Sequence, residues 1–259
     1  HGGAGVPARD AIPPGLPDEL EFNPGGLAVL WAEENTRESL FAAMKRREAY
    51  GTSGPRLMVR FFGGWDYPED LCSGSENLVA VGYEAGVPMG GDLPSPTGNI
   101  ATAHGPRFAV WAFADVARIN PPPTPLDRVQ IVKGWRDADG TLHEKVFDVA
   151  VAPEAGEPAG TNPATCQATG RGPRSLCAVW TDPQFRIDEH AFYYARVLES
   201  PTCRWSQRMC VAAGVRCGDE STIGEGFEPC CAKDHRPLVQ ERAWTSPIWY
   251  RPAAASGDV

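Results

Sequence analysis

From position 54 onward the chain breaks into short apolar runs, each cut off by glycine or proline, and this punctuation is what most limits its fold. The runs are "RLMVRFF", "RFAVWAF", "DRVQIVK", "EKVFDVAV", "LCAVW", "AFYYARVL" and "AWTSPIWY". Each is short for a helix, rich in β-branched and aromatic residues, and bounded by turn formers, which is the signature of a strand. About seven strands with no long helix between them predict an antiparallel β-sandwich. Proline-rich connections, "INPPPTP" and "APEAGEPAGTNPAT", fit the same plan, and "RDADGT" carries the Asp-Gly signal of a tight hairpin. Asp137, Asp139 and Gly140 look like the start of a calcium loop, but the later ligands of such a loop are missing, so the plain turn is the reading.

The opening of the chain follows a different pattern. Residues 1–26 are loop-like, and "GLAVLWA" then reads as a buried strand. Asn35 or Thr36 opens a helix in which Glu38 completes a capping box with Asn35. Leu40, Phe41 and Met44 form its apolar face, Lys45, Arg46 and Arg47 complement its C-terminal dipole, and Gly51 is placed to end it. The expected class is therefore α+β, mostly β, with a frayed tail at 253–259.

A chain of 259 residues, 42% of them hydrophobic, can bury a sizeable core. Its 24 basic and 33 acidic residues give a net charge of -9 with no basic stripe, which argues against nucleic acid as a partner. No run reaches the roughly 18 apolar residues of a membrane span. Eight cysteines, at 72, 166, 177, 203, 210, 217, 230 and 231, predict disulfides and a periplasmic or secreted protein. Zinc would require paired ligands such as two Cys-x-x-Cys units, which the spacing lacks. Cys166 with Cys177, flanking a glycine-rich turn, is the favoured pair, and 203–231, holding Cys203, Cys210, Cys217, Cys230 and Cys231, reads as a cysteine-rich insertion. Residues 1–30 lack the features of a signal peptide, so either a signal ended at His1 or more sequence preceded it.

Few residues announce chemistry. The five histidines are scattered, and "GTSGP" has proline where a nucleophile turn needs glycine. Glu33, Glu34 and Glu38 suit a helix N-terminus; alternatively, Glu33, Glu34 and Asn35 end a barrel strand, where such folds place reacting groups. Trp31, Trp111 and Trp180 read as core, whereas Trp65, Trp135 and Trp205 are candidates for stacking on sugars. An N-terminal His1 could also hold copper through its amine and imidazole, as in a histidine brace, though no partner histidine stands out.

Longer motifs point to one family. "GLAVLWAEENTRESLFAAMKRREAYGTSGPRLMVRFFGGWDYPEDLC", "AGVPMGGDLP", "DRVQIVKGWRDADGTLHEKVFDVA", "AVWTDPQF", "AFYYARVLESPTCRWSQRMC" and "QERAWTSPIWY" closely resemble, in order, the C-terminal part of the bacterial domain-of-unknown-function family 3604. That family is similar to exported relatives of the polymerase-and-histidinol-phosphatase (PHP) metal hydrolases, whose α/β barrel holds divalent metals and is followed by a β-sandwich. The resemblance implies that 1–56 is a loop plus the last strand and helix of a PHP-like barrel, and that 57–252 is the sandwich. It implies an active-site rim of Glu33, Glu34, Asn35, Arg37 and Arg56, with Tyr50, Thr52, Ser53 and Trp65 facing substrate. His1 would be an internal loop histidine near the metal. The metal, zinc, manganese or similar, would belong to the full-length protein, because the His-x-His and Asp-Thr-His segments of such relatives are missing here. The expectation is thus the C-terminal portion of a hydrolase acting on a small molecule or ester, inactive alone. The alternative is an exported, non-enzymatic sandwich module that binds glycan or protein.

Overall fold

The computed structural model describes residues 25–73, 78–96, 105–115, 123–153 and 158–252. Two sheets face each other across one core. The larger is built on β12 (His190–Glu199), which pairs along one edge with β7 (Leu126–Arg136), itself paired with β8 (Leu142–Val151). Along its other edge β12 takes β15 (Arg242–Thr245) and β16 (Ile248–Tyr250). β15 continues to β2 (Ala49–Thr52) and then β1 (Leu27–Leu30), and β16 to β5 (Asp92–Leu93). The smaller sheet runs β11 (Ser175–Thr181), β6 (Arg107–Phe113), β3 (Met58–Gly64), β4 (Gly86–Pro88). Every pairing in these two sheets is antiparallel except that of β5 with β16.

All seven predicted runs form strands, and the last of them splits at Ser246 and Pro247 into β15 and β16. Alternation sets the faces. In β12, Ala191, Tyr193, Ala195 and Val197 turn into the sandwich, while His190, Phe192, Tyr194 and Arg196 turn away from it. The core joins Phe61 and Phe108 of the small sheet to Tyr193 of the large one, with Phe108 and Tyr193 ring centres 4.3 Å apart. A second cluster lies behind the small sheet, where α2 (Leu78–Glu84) covers Phe62 and Ala109. Gly82 allows this approach, since a Cβ there would sit 2.6 Å from the Phe62 ring.

Several expectations need correction. Helix α1 (Arg37–Arg46) is capped by Thr36, whose hydroxyl accepts from the Ser39 N–H, so Asn35 and Glu38 form no capping box. It ends at Arg47 in the left-handed conformation, φ 61°, and Gly51 lies inside β2. The Leu27–Leu30 run is a half-exposed edge strand, not a buried one, and pairs antiparallel with β2. β2 in turn joins β15, so backbone pairing runs across position 56. Of the apolar positions on α1, Phe41 and Met44 are 59% and 53% exposed, and Ala43 is the buried one. Helices α2 and α3 (Trp205–Ala212) had no counterpart in the sequence reading.

Four disulfides form: Cys72–Cys177, Cys166–Cys203, Cys210–Cys230 and Cys217–Cys231. The expected Cys166–Cys177 pair is therefore wrong. The physical reason is topological: Cys166 follows β9 (Gly160–Thr161) in a hairpin with β10 (Ala168–Thr169), whereas Cys177 belongs to β11 in the small sheet. Cys166 instead reaches β13 (Thr202–Cys203), which pairs with β14 (Leu238–Val239). Four disulfides mark a protein of an oxidising compartment. Among the described residues, no helix is long and apolar enough to cross a membrane.

The core also fixes the alkaline behaviour. Burial pushes Tyr50 up to about 12 and raises Tyr67 and Tyr193 as well, with Asp182 adding to the effect at Tyr193. Each folded-state value lies above the unfolded one, so the neutral phenols contribute stability below about pH 10 that is lost as pH rises further. Thermal melts from pH 8 to 12 should show the midpoint falling beyond pH 10. A flat profile would mean that these phenols ionise as freely folded as unfolded.

Candidate functional site

The expected rim residues fall into two groups. Glu33, Glu34 and Asn35 lie in the bend between β1 and α1, and Arg37 in the first helical turn, all exposed. The Glu34 N–H donates to the Ser39 hydroxyl, which orients this bend. Beside it, Asn35, Arg37, Leu40, Phe41 and Met44 line a shallow depression of about 620 Å³.

Ser53 and Arg56 belong elsewhere. Leu30 opposes Ala49 and Leu27 opposes Thr52, so Glu33 leaves one end of the β1–β2 pair and Ser53 the other. The strand length alone separates them by about 10 Å. Ser53 donates to the Glu241 carboxylate and accepts from the Arg242 N–H at 2.8 Å, while the Arg56 N–H donates to Asp115 at 3.3 Å. Ser53, Asp115, Glu199, Glu241 and Arg208 border a polar cleft of about 440 Å³. Tyr50 and Thr52 are buried, with the Tyr50 hydroxyl donating to the Leu57 carbonyl at 2.8 Å and Thr52 accepting from Gly54. Trp65 donates to the Pro94 carbonyl and packs edge-on against Phe185 and Tyr250. These three side chains are engaged in holding the fold together.

Two polar clusters escaped the sequence reading. Buried Glu48 meets Arg46, Arg60 and the Tyr83 hydroxyl, and the Arg60 guanidinium lies 3.4 Å above the Trp31 ring, so Trp31 packs as expected, though only half-buried. Burial and Glu48 together raise Tyr83 above the usual phenol value. Lys133 is the second centre: its ammonium stands 2.6 Å from Asp182, to which the Tyr193 hydroxyl also donates. No spacing rule links residues so distant along the chain.

On the outside of the large sheet, between the end of β16 and the β7–β8 hairpin, lies a mostly apolar groove of about 610 Å³. Trp135, His143, His190, Phe192, Trp249 and Arg251 line it. Trp135, one of the three sugar-stacking candidates, only borders this groove: it opposes the inward-facing Ala191, and its ring packs against the core and stacks with His143, whose Nε2 lies 2.6 Å from Asp137 in the turn after β7. That turn, 137–141, is the expected Asp-Gly hairpin, with Gly140 at φ +91°.

Residues 13–252 match the family model described as "Protein of unknown function (DUF3604)". The chain belongs to the DUF3604 family. The DUF3604 match takes in both sheets, helix α1 and the whole outer groove. No curated protein and no solved structure matches the chain. Among the described residues, no group of three or more His, Cys, Asp or Glu side chains lies close enough to hold a cation. His143 is taken up by Asp137 and His235 by Gln207, and His1 and His104 lie outside the described residues. The described part of the chain does not fit a metal centre of its own.

Proposed function

We propose that this chain is the C-terminal part of an exported, periplasmic or secreted, PHP-like metal-dependent hydrolase, and that it contributes a rim rather than the metal ligands. The reading rests on β1 and α1 taken together. β1 is the outermost strand of the large sheet, with no strand on its far edge among the described residues, and Leu27 on it is 40% exposed. Beside it, Phe41 and Met44 turn the apolar side of α1 to solvent. An open strand edge flanked by an uncovered apolar helix face is a surface for more protein. The barrel would pack there, which places Glu33, Glu34, Asn35 and Arg37 at its rim. Arg37 is then the cation positioned to meet negative charge growing on a phosphoryl or carboxyl oxygen of an ester substrate. A divalent metal, zinc, manganese or similar, held by the barrel would supply the activated water.

The test compares this chain with a longer form carrying the preceding barrel sequence. Metal content by plasma mass spectrometry and turnover of p-nitrophenyl phosphate and p-nitrophenyl acetate are measured on both. Metal and turnover are expected in the longer form alone, with Arg37→Ala lowering kcat about 100-fold at an unchanged melting temperature. Stoichiometric metal in the short chain, or full activity in the arginine variant, would overturn the proposal.

A further inference from the structure

We propose that the groove on the outer face of the large sheet binds an acidic saccharide, stacking a sugar ring on Trp249 and Phe192 and meeting its anionic group with Arg136. The strand registers build the site. Trp249 opposes Phe192, Phe192 opposes Gly134, and Gly134 opposes Glu144, so these four form one row across β16, β12, β7 and β8. The neighbouring row is His190, Arg136 and Leu142. Gly134 leaves the space that shapes the floor, because a Cβ there would lie 2.3 Å from the Phe192 ring. The phenyl ring of Phe192 therefore lies across β7, with Trp249 tilted beside it at 5.3 Å between centres. Trp249 keeps 36% of its surface open and Leu142, opposite Arg136, keeps 79%.

The chemistry of this surface favours a sugar over an apolar partner. A pyranose offers a flat C–H face to an aromatic ring and a polar edge all round. Here aromatic rings are fringed by Arg136, Arg251, Glu144 and His190, a rim rich in hydrogen-bonding groups. In a chain of net charge -9, this groove is lined by Arg136, Arg251 and Glu144, with the Arg251 guanidinium already 3.7 Å from Asp92. The nearby carboxylates are engaged, Asp137 by His143 and Asp92 by Arg251 and Arg47. Arg136 has no ion-pair partner among the described residues. Its planar guanidinium suits a uronate carboxylate or a sulfate ester equally, since both accept paired hydrogen bonds. The groove lies on an open sheet face, so a chain of sugars can extend beyond it, and its volume falls within the roughly 300–1,000 Å³ common for ligand sites.

The experiment titrates the intact, oxidised chain with oligogalacturonate, a heparin oligosaccharide and a neutral cello-oligosaccharide, read by tryptophan fluorescence and calorimetry. At least one acidic probe should bind more tightly than the neutral one, and the two acidic probes distinguish carboxylate from sulfate. Trp249→Ala should weaken that binding by about tenfold or more, the equivalent of one lost stacking contact. Arg136→Gln should remove the preference for acid, and a variant that keeps that preference would overturn the role given to this arginine; both residues are exposed, and circular dichroism confirms folding. Absence of binding to both acidic probes, equal affinity for the neutral one, or full binding by Trp249→Ala would each overturn the assignment.

Discussion

Replacing Lys133 with methionine should destabilise the protein by about 3–5 kcal/mol, the cost of leaving a buried charge without its partner. The Lys133 and Asp182 side chains are 2% and 0% exposed, and their charged atoms lie 2.6 Å apart. Lys133 also donates to the Gln184 carbonyl at 2.8 Å, and so fastens the β11–β12 connection beneath the sheet. Without the ammonium, Asp182 keeps two neutral donors, the Tyr193 hydroxyl and the Gln184 N–H. Methionine fills similar volume, so the loss measures charge rather than a cavity. Urea unfolding of the oxidised protein gives the number, and the double variant Lys133→Met/Asp182→Asn should recover more than half of it, because asparagine still accepts from Tyr193. A single variant within 1 kcal/mol of the parent would show that water reaches the pair.

The Cys72–Cys177 bridge should carry an effect of similar size. It closes a separation of 105 residues, and restricting so long a loop in the unfolded chain is worth roughly 4–5 kcal/mol. Both sulfurs also pack against the cluster of Phe62, Tyr67 and Leu78 that holds α2 to the small sheet. The variant Cys72→Ser/Cys177→Ser, with the other three bridges intact, is expected to unfold at much lower urea. Its denaturant slope should rise as well, since the freed unfolded chain exposes more surface. A loss under about 1 kcal/mol would mean that the unfolded state stays compact without the bridge.

Strands were legible because their signal is local: alternating side chains stopped by glycine or proline, as in β12 and in the β7–β8 hairpin. What failed depended on distant partners or on unusual backbone. Arg47 ends α1 with φ 61°, a conformation more readily assigned to the glycine four positions on. The edge position of β1 depends on β2 being taken up by β15, nearly 200 residues later in the chain. The rim cluster Glu33 to Arg37 was legible as a helix start, and the structure keeps it together, but Tyr50, Thr52 and Trp65 were drawn inward by packing. The aromatic groove was beyond reach, since alternation puts Phe192 and Tyr194 on one face of β12 without saying which face meets water or that Trp249 comes alongside.

The adjacent cysteines Cys230 and Cys231 send their bridges to Cys210 and Cys217 respectively. During oxidation either of these neighbours can reach either partner first, and the crossed isomer differs by a shift of one residue. Correct pairing must then be recovered by thiol exchange, which needs a free thiolate, while the finished chain keeps none among its eight cysteines. Adjacent cysteines with different partners therefore make the pairing of this segment an exchange problem as well as an oxidation problem.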